Sequence, residues 1–478
     1  MTRFTHTDTS RRSFLRAMGG LAASAAIPQR SLPLVGSLAG LAALASQSSQ
    51  AATTTGYKAI VCLYMNGGSD THNWVVPTDA SGYAEYANAR AEMAWAANRL
   101  QGITVTNQGS GRGFGMPLEL APLRDCYTAG QAAILANVGT LTRPITKTDY
   151  LAGIGLPAKL FSHNDQAATW QSLAPEGAPS GWGGRMGDIL MAANTQPVFT
   201  AVSTSGNAVF LSGSTVGQYQ VGQEGPVVAN TMTNASTFGS ASVGNTLRRQ
   251  YAATTTDRLQ NEYARVMQRG LSANATLLTA LAGVNVPAIP TTPIAQVNAA
   301  ATTLNQLSLP RQLRMVLQII AANQTLGMRR QVFMVQMSGF DTHNNQMRDQ
   351  PVQMAQVAQS ISYFMSALTS LGLQNNVTLF TASDFGRTLL SNGDGSDHGW
   401  GSHHFVVGGA VRGGQMYGDF PATSLGNAND AGSGRLIPGM GVTQLASSLA
   451  GWMGLTATEQ QIVLPNLVNF TPGPSLFG

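Results

Sequence analysis

Hydrophobic positions along this chain fall into two patterns: short, almost unbroken apolar runs that give way to polar loops, and longer stretches with a helical period. Lys58–Met65 is a nearly continuous apolar run, as expected of a strand covered on both faces. Glu119–Ala129 reads as a helix closed by Gly130, with a strand over Ala132–Val138 after it. Ser308 as a cap, with Pro310 in the first turn, predicts a helix that Gly327 ends before a strand over Gln331–Met337. Met354, Val357, Ala358, Ile361, Phe364, Met365, Leu368 and Leu371 trace one stripe with a period of about 3.6, stopped by Gly372 and followed by a strand over Val377–Thr381. Helices alternating with buried strands predict an α/β fold with a mostly parallel central sheet between helical layers. The grammar changes between about 203 and 306. There, short strand candidates (Ala208–Leu211, Val216–Val221) precede a helical stretch over Leu247–Met267 and a proline-containing segment over Val284–Ala301. This region reads as an insertion or cap over the sheet.

The first 51 residues follow a different logic. Ser10, Arg11, Arg12, Ser13, Phe14, Leu15 and Arg16 precede a mildly apolar Ala/Gly-rich stretch, the order found in twin-arginine export signals. Such a segment is read by a receptor and stands apart from the fold, so 1–51 is a signal and linker and 52–478 the folded domain. Cleavage could follow Ser49-Gln50-Ala51; an uncleaved N-terminal anchor is the alternative. Export by this route predicts a periplasmic or extracellular protein. No later segment has the length and apolar continuity of a membrane span.

Composition sharpens the picture at two points. The formal net charge is +5, but five arginines and Asp8 lie in the leader, which leaves 22 basic and 21 acidic residues, a net of +1. That balance gives no support for nucleic-acid or anionic-membrane binding. With 43% hydrophobic residues the chain can bury a large core, and with only 10% charged residues each ionisable cluster stands out. Cys62 and Cys126 could form one disulfide after export or remain two buried thiols.

Of seven histidines, six lie outside the leader, in four short polar loops. His72 ends Gly67-Gly68-Ser69-Asp70-Thr71-His72, directly after the first strand. His163 follows Ser162. His343 ends Gly339-Phe340-Asp341-Thr342-His343, and His398, His403 and His404 share Asp397–His404. Asp384 follows the Val377–Thr381 strand. Parallel sheets bind ligands beyond the carboxyl ends of their strands, so Asp70, Asp341 and Asp384 are placed to converge. Carboxylates and neutral imidazoles in one cleft are ligands for a divalent ion; without one, the acids would raise one another's pKa. Asx-turn aspartates and surface histidines are the alternative for any single loop. Four such loops in so charge-poor a chain favour a site.

Ser162, entering a helix over Asp165–Ser172, is a candidate nucleophile, and an ordinary N-cap is the alternative. The chain has no Gly-x-Ser-x-Gly elbow and no phosphate-binding P-loop. Gly181-Trp182-Gly183-Gly184-Arg185 reads either as a tight turn carrying an anion-binding arginine or as packing of Trp182.

At these loops the sequence resembles a large family of exported bacterial proteins, domain of unknown function 1501. The shared features are the twin-arginine leader, the Gly-Gly-x-Asp loop, Ser162-His163, Gly181–Arg185, Gly339–His343, Ser383-Asp384-Phe385-Gly386-Arg387 and Asp397-His398-Gly399, in order over roughly 57–420. That family looks like a distant branch of the alkaline phosphatase and sulfatase superfamily. The resemblance implies an alkaline-phosphatase-like sheet with a bimetal site at its carboxyl edge. Asp70, Ser162 and Asp384 would line one metal position; Asp341, His343 and one of His398, His403 or His404 would line the other. The ion would be zinc, magnesium, manganese or calcium. The chain departs from the superfamily in having Phe385 where a histidine commonly follows the acid. It also lacks the Cys/Ser-x-Pro-x-Arg motif, which argues against a formylglycine sulfatase.

Together these readings predict an exported metal-dependent hydrolase of phosphate, sulfate or related esters, acting on a small anionic ester or a glycan. Ser162 would attack, and Arg185 or Arg387 would hold the anionic group. The rivals are a non-catalytic envelope protein that binds a glycan or protein partner, and a metal-free serine hydrolase using Ser162 and a distant histidine.

Overall fold

A computed structural model describes residues 54–226, 236–252, 255–297 and 300–478. The segment read as a twin-arginine signal, with its candidate cleavage site, lies outside the described residues. Thr53–Gly478 form one compact unit.

A nine-stranded sheet runs through it: β1 (Lys58–Asn66), β2 (Ala132–Gly139), β3 (Ala201–Ser203), β4 (Tyr219–Gln220), β5 (Arg330–Ser338), β6 (Val377–Ser383), β7 (Ser402–Val407), β8 (Met416–Tyr417) and β9 (Met440–Gly441). The spatial order is β8-β2-β7-β6-β1-β5-β3-β4, with β9 beside β2. β1 lies between β5 and β6, parallel to both, in register from Lys58↔Arg330 to Asn66↔Ser338 and from Ala59↔Val377 to Met65↔Ser383. β7 alone runs against its neighbours. The four apolar runs read from sequence are thus β1, β2, β5 and β6, each longer by one or two residues.

The principal helices are α1 (Ala80–Arg90), α2 (Ala121–Thr128), α3 (His163–Ser172), α4 (Trp182–Leu190), α5 (Ala241–Ala252), α6 (Arg258–Leu281), α7 (Ser308–Ala321), α8 (Gln346–Ser370) and α9 (Val442–Met453). Ala59, Val61, Leu63 and Met65 of β1 share one core cluster with Leu123 of α2, Leu313 and Val316 of α7, and Val357, Ile361 and Phe364 of α8. Residues of opposite parity face the other layer, because side chains alternate across a strand. There Trp170, Trp182 and Phe210 surround Phe380, with ring centroids 6.5, 5.6 and 6.1 Å away. Helices therefore cover both faces, which is why the central strands are apolar throughout.

Several expectations change. Ser308 is not the cap of α7: Leu307 holds that position, and the Ser308 hydroxyl donates to Gln223. Ala208–Leu211 forms a single helical turn, and Val216–Val221 supplies only the two residues of β4. The stretch Leu247–Met267 is divided between α5 and α6, because Asp257 caps α6 by accepting from Leu259 and Gln260 backbone N–H groups. Cys62 and Cys126 are both buried and free. Among the described residues no helix is long and apolar enough to cross a membrane.

Candidate metal centre

The loops leaving β1, β5 and β6 meet at the carboxyl edge of the sheet. Gly67 N–H donates to Asp384 Oδ2 (3.2 Å), and Ser69 N–H donates to Ser383 Oγ (2.8 Å). Arg387, fully buried, donates from Nη1 to Asp341 Oδ1 (2.7 Å) and to the Gly67 carbonyl (3.5 Å). The glycine pair is a steric requirement. Gly67 and Gly68 have φ of +118° and +83°; a Cβ would sit 2.6 Å from the Asp341 nitrogen and 2.3 Å from the Phe385 ring, respectively.

Three side chains offer ligand atoms that all lie within 4.8 Å of one another: His163, Asp341 and His398. His163 Nε2 is 3.4 Å from Asp341 Oδ2, and His398 Nε2 is 3.4 Å from Asp341 Oδ1. His343 Nε2 stands beside them, 3.1 Å from Asp341 Oδ1 and 2.9 Å from His398 Nε2. Hydrogen bonding assigns the ring protons. His398 Nδ1 faces the Phe161 carbonyl (2.7 Å), which can only accept, so Nδ1 carries the proton and neutral His398 turns the Nε2 lone pair inward. His163 Nδ1 faces Asp384 Oδ2 (2.7 Å), with the same consequence for its Nε2. Outer oxygens that fix the tautomer of an inward-facing imidazole are the usual second layer of a metal site.

The electrostatics agree with this layout. Burial lowers the His398 pKa. Burial alone would raise that of Asp341, but the Arg387 hydrogen bond and charge, with His343 and His163, hold its carboxyl below the ordinary value. The Asp384 hydrogen bond raises the His163 pKa against burial. His163 Nε2 and Asp384 Oδ1 are buried without a hydrogen-bond partner. Of the two, His163 Nε2 lies at the convergence of two imidazoles and a carboxylate, where an orphaned polar atom fits a divalent cation.

Phe385 forms the wall. Its ring lies 4.8 Å from that of His163 and 4.7 Å from that of His398, where a histidine would have offered another ligand.

The remaining candidates lie elsewhere. Asp70 is turned into the protein, paired with Arg90 and Gln346, and Gln350 donates to its carbonyl. His403 and His404 belong to β7 and are core residues. His403 Nδ1 accepts from the Asn137 N–H and its ring stacks on Phe420, while His404 Nδ1 meets the Thr381 hydroxyl. Arg185 lies on α4 rather than in a turn, and donates to the carbonyls of Val463, Ser180 and Ser172. Trp182 is buried, so packing is the role of that glycine-rich segment. Arg387 is a positioning residue for Asp341. Ser162 stands at the N-cap position of α3, directly before His163 in the chain, its Oγ donating to Asp165 Oδ2 (2.9 Å). Phe161 before it is held at φ +69°, a costly conformation for a bulky residue, and this aims its carbonyl at His398. The sequence reading gives neither His163 a place in the candidate ligand set nor Asp165 the role of partner to Ser162. For His163 the signals are its place in one of the four histidine loops and in the shared Ser162-His163 feature; for Asp165 the signal is its nearness to Ser162.

Burial lowers the pKa of His72 to about 4 and that of His404 to about 3. Above pH 6.5 each is neutral folded or unfolded and contributes nothing. Below it the unfolded chain takes up protons that the folded chain refuses. Stability should fall by about 1.4 kcal/mol per pH unit for each of them. His163 acts oppositely, its contribution present in acid and lost as pH rises through its folded value. The urea midpoint is expected to drop between about pH 6.5 and about pH 4.5, and His404→Gln to flatten the drop. A midpoint flat across that interval would contradict neutral burial.

No curated protein matches the sequence. Among solved structures the chain is similar to the PsFucS1 sulfatase from Pseudoalteromonas sp., at 10% identity over 94% of this chain and 78% of that one, with a TM-score of 0.35. It is also similar to the phosphonate monoester hydrolase SpPMH from Silicibacter pomeroyi (8%, 83% and 73%, 0.34) and to the lipoteichoic acid synthase LtaP from Listeria monocytogenes (8%, 87% and 76%, 0.30). The family described as "Protein of unknown function (DUF1501)" matches residues 57–436. That match takes in every loop of the cluster, and the chain belongs to the DUF1501 family.

Proposed function

We propose that this protein is an exported, metal-dependent hydrolase of phosphate, sulfate or related esters. The observation that carries the reading is the convergence of His163, Asp341 and His398, with both imidazoles oriented by outer oxygens. These three would hold the ion, with His343 beside them. Two imidazoles and one carboxylate suit zinc or manganese better than calcium or magnesium. When bound, a divalent ion supplies polarisation of the ester oxygens and stabilisation of developing negative charge.

The chain's own groups do the rest. Asp165 Oδ2 takes the Ser162 proton as Oγ bonds to the phosphorus or sulfur and the ester's alkoxide leaves, to be protonated by water. Water then cleaves the seryl ester, releasing the acid, and the hydroxyl proton returns to Ser162. Free N–H groups at the start of α3 favour an anion beside Ser162.

One observation favours the rival, a non-catalytic envelope protein that keeps a metal and binds a glycan or protein: Arg185 and Arg387 are both engaged by the protein itself. Metal analysis and turnover of aryl phosphates and sulfates separate the two. Ser162→Ala is expected to lose at least about 100-fold in turnover while keeping its metal, since no ligand is removed. Wild-type protein that binds metal and cleaves no such ester would favour the rival. Wild-type protein without metal after zinc and manganese supplementation would refute the reading.

A further inference from the structure

Helix α6 carries one apolar stripe that is only half used. Leu259, Tyr263, Val266, Ala273, Leu277 and Ala280 follow the helical period along one side. Ala273, Leu277 and Ala280, in the second half, are buried in the main core. In the first half the same stripe leaves the body: Leu259 is 84% exposed, Tyr263 58% and Val266 51%. Isolated exposed apolar residues are ordinary, but three in register at the end of a core helix form a face left uncovered by the described residues.

The charge beside that face is as uneven as its burial. From 236 to 281 there are five arginines (Arg248, Arg249, Arg258, Arg265 and Arg269) against Asp257 and Glu262, a net of +3. The rest of the chain after residue 51 has 17 basic and 19 acidic residues, a net of −2. The overall balance of +1 conceals this asymmetry. Arg258, Arg265 and Arg269 recur along the flank of α6 next to the apolar stripe, with Glu262 between them, 3.9 Å from Arg265 and 3.1 Å from Arg269. Tyr251 of α5 extends the aromatic part of the patch, its ring 6.0 Å from that of Tyr263.

We infer that the α5–α6 hairpin docks on an anionic phospholipid surface. Leucine, valine and tyrosine would lie at the depth of the acyl boundary, and the flanking arginines would meet the phosphates. An apolar face bordered by cations, on a helix too polar overall to insert, is the pattern of a helix that lies in the membrane interface. Tyrosine prefers that layer because one end of its ring is apolar and the other polar. A surface for a neutral partner would have no use for the arginine row, and a purely electrostatic one would not expose Leu259.

The test is co-sedimentation of the full mature chain with vesicles of phosphatidylglycerol and phosphatidylcholine in equal parts, against phosphatidylcholine alone. Binding is expected to the anionic vesicles only, and to weaken with salt. Arg258→Gln with Arg265→Gln should weaken it by roughly tenfold, and Leu259→Ser with Tyr263→Ser by at least about tenfold. Both pairs are surface positions, so the urea midpoint should stay unchanged, which separates lost docking from lost folding. No binding to anionic vesicles, equal binding to neutral ones, or full binding by both variant pairs would overturn the inference. So would concentration-dependent self-association abolished by the Leu259/Tyr263 pair, which would assign the face to a second copy of the chain.

Discussion

Asp341→Asn is expected to lose its metal and, with it, all measurable ester hydrolysis. The carboxylate is the hub of the cluster: one oxygen accepts from Arg387 and also faces His343 and His398, and the other faces His163. Asparagine keeps the shape but replaces a charged oxygen by an amide and removes the attraction to a cation. Loss of an outer residue behind a metal ligand already costs about 10–100-fold in affinity, and a direct ligand should cost more. Some stability should go too, because Arg387 is fully buried and would exchange its only charged partner in the cluster for a neutral amide oxygen, beside its Ser396 and Gly67 partners. The measurement is metal per chain after dialysis, beside turnover. Ser162→Ala keeps metal and loses turnover, whereas Asp341→Asn loses both. An Asp341→Asn protein with wild-type metal content would remove Asp341 from the centre, whatever its activity.

The parts of this architecture legible in the sequence were those with a local cause. β1, β2, β5 and β6 are apolar throughout because both faces are covered, and α8 shows its period because one side meets the sheet. β7 was hidden: its Ser402-His403-His404 start reads as chemistry, and only the antiparallel pairing with β2 and β6 buries both imidazoles. α4 was hidden by Gly183 and Gly184, which read as a turn. They are glycines inside a helix because a Cβ on either would collide with Phe210 or Ser212 of the segment packed against it. In the site, strand order and loop position bring Asp341 and His398 to the same edge. They do not say which acid takes which arginine. Asp70 and Asp341 both follow central strands, yet Arg90 claims the first and Arg387 positions the second. Pairing is decided by the three-dimensional course of α1, which no local pattern encodes.

Arg90→Met should be among the most destabilising single changes in the protein, at about 3–5 kcal/mol. Arg90 and Asp70 are an ion pair with both side chains fully buried. Arg90 Nη1 also donates to the carbonyls of Thr388 (2.9 Å) and Leu389 (3.3 Å), tying α1 to the hairpin that begins at Arg387. Without the guanidinium, Asp70 would be left as a buried carboxylate held by Gln346 alone, and two carbonyls would lose their donor. Asp70→Asn should cost a similar amount for the mirror reason, an unpaired buried cation. Arg90→Met with Asp70→Leu should cost less than the two single changes added together, since no charge is then stranded; that shortfall, read from urea midpoints, is the coupling. The same variants decide where Asp70 belongs. If it serves the scaffold, folded Asp70→Asn keeps its metal, and the stability loss is equal with and without added zinc. If it is a ligand, metal content falls first, and stripping metal from the wild type reproduces the loss. A variant that lost its metal yet kept its urea midpoint would return Asp70 to the ligand set and leave Arg90 as a second cation at the centre.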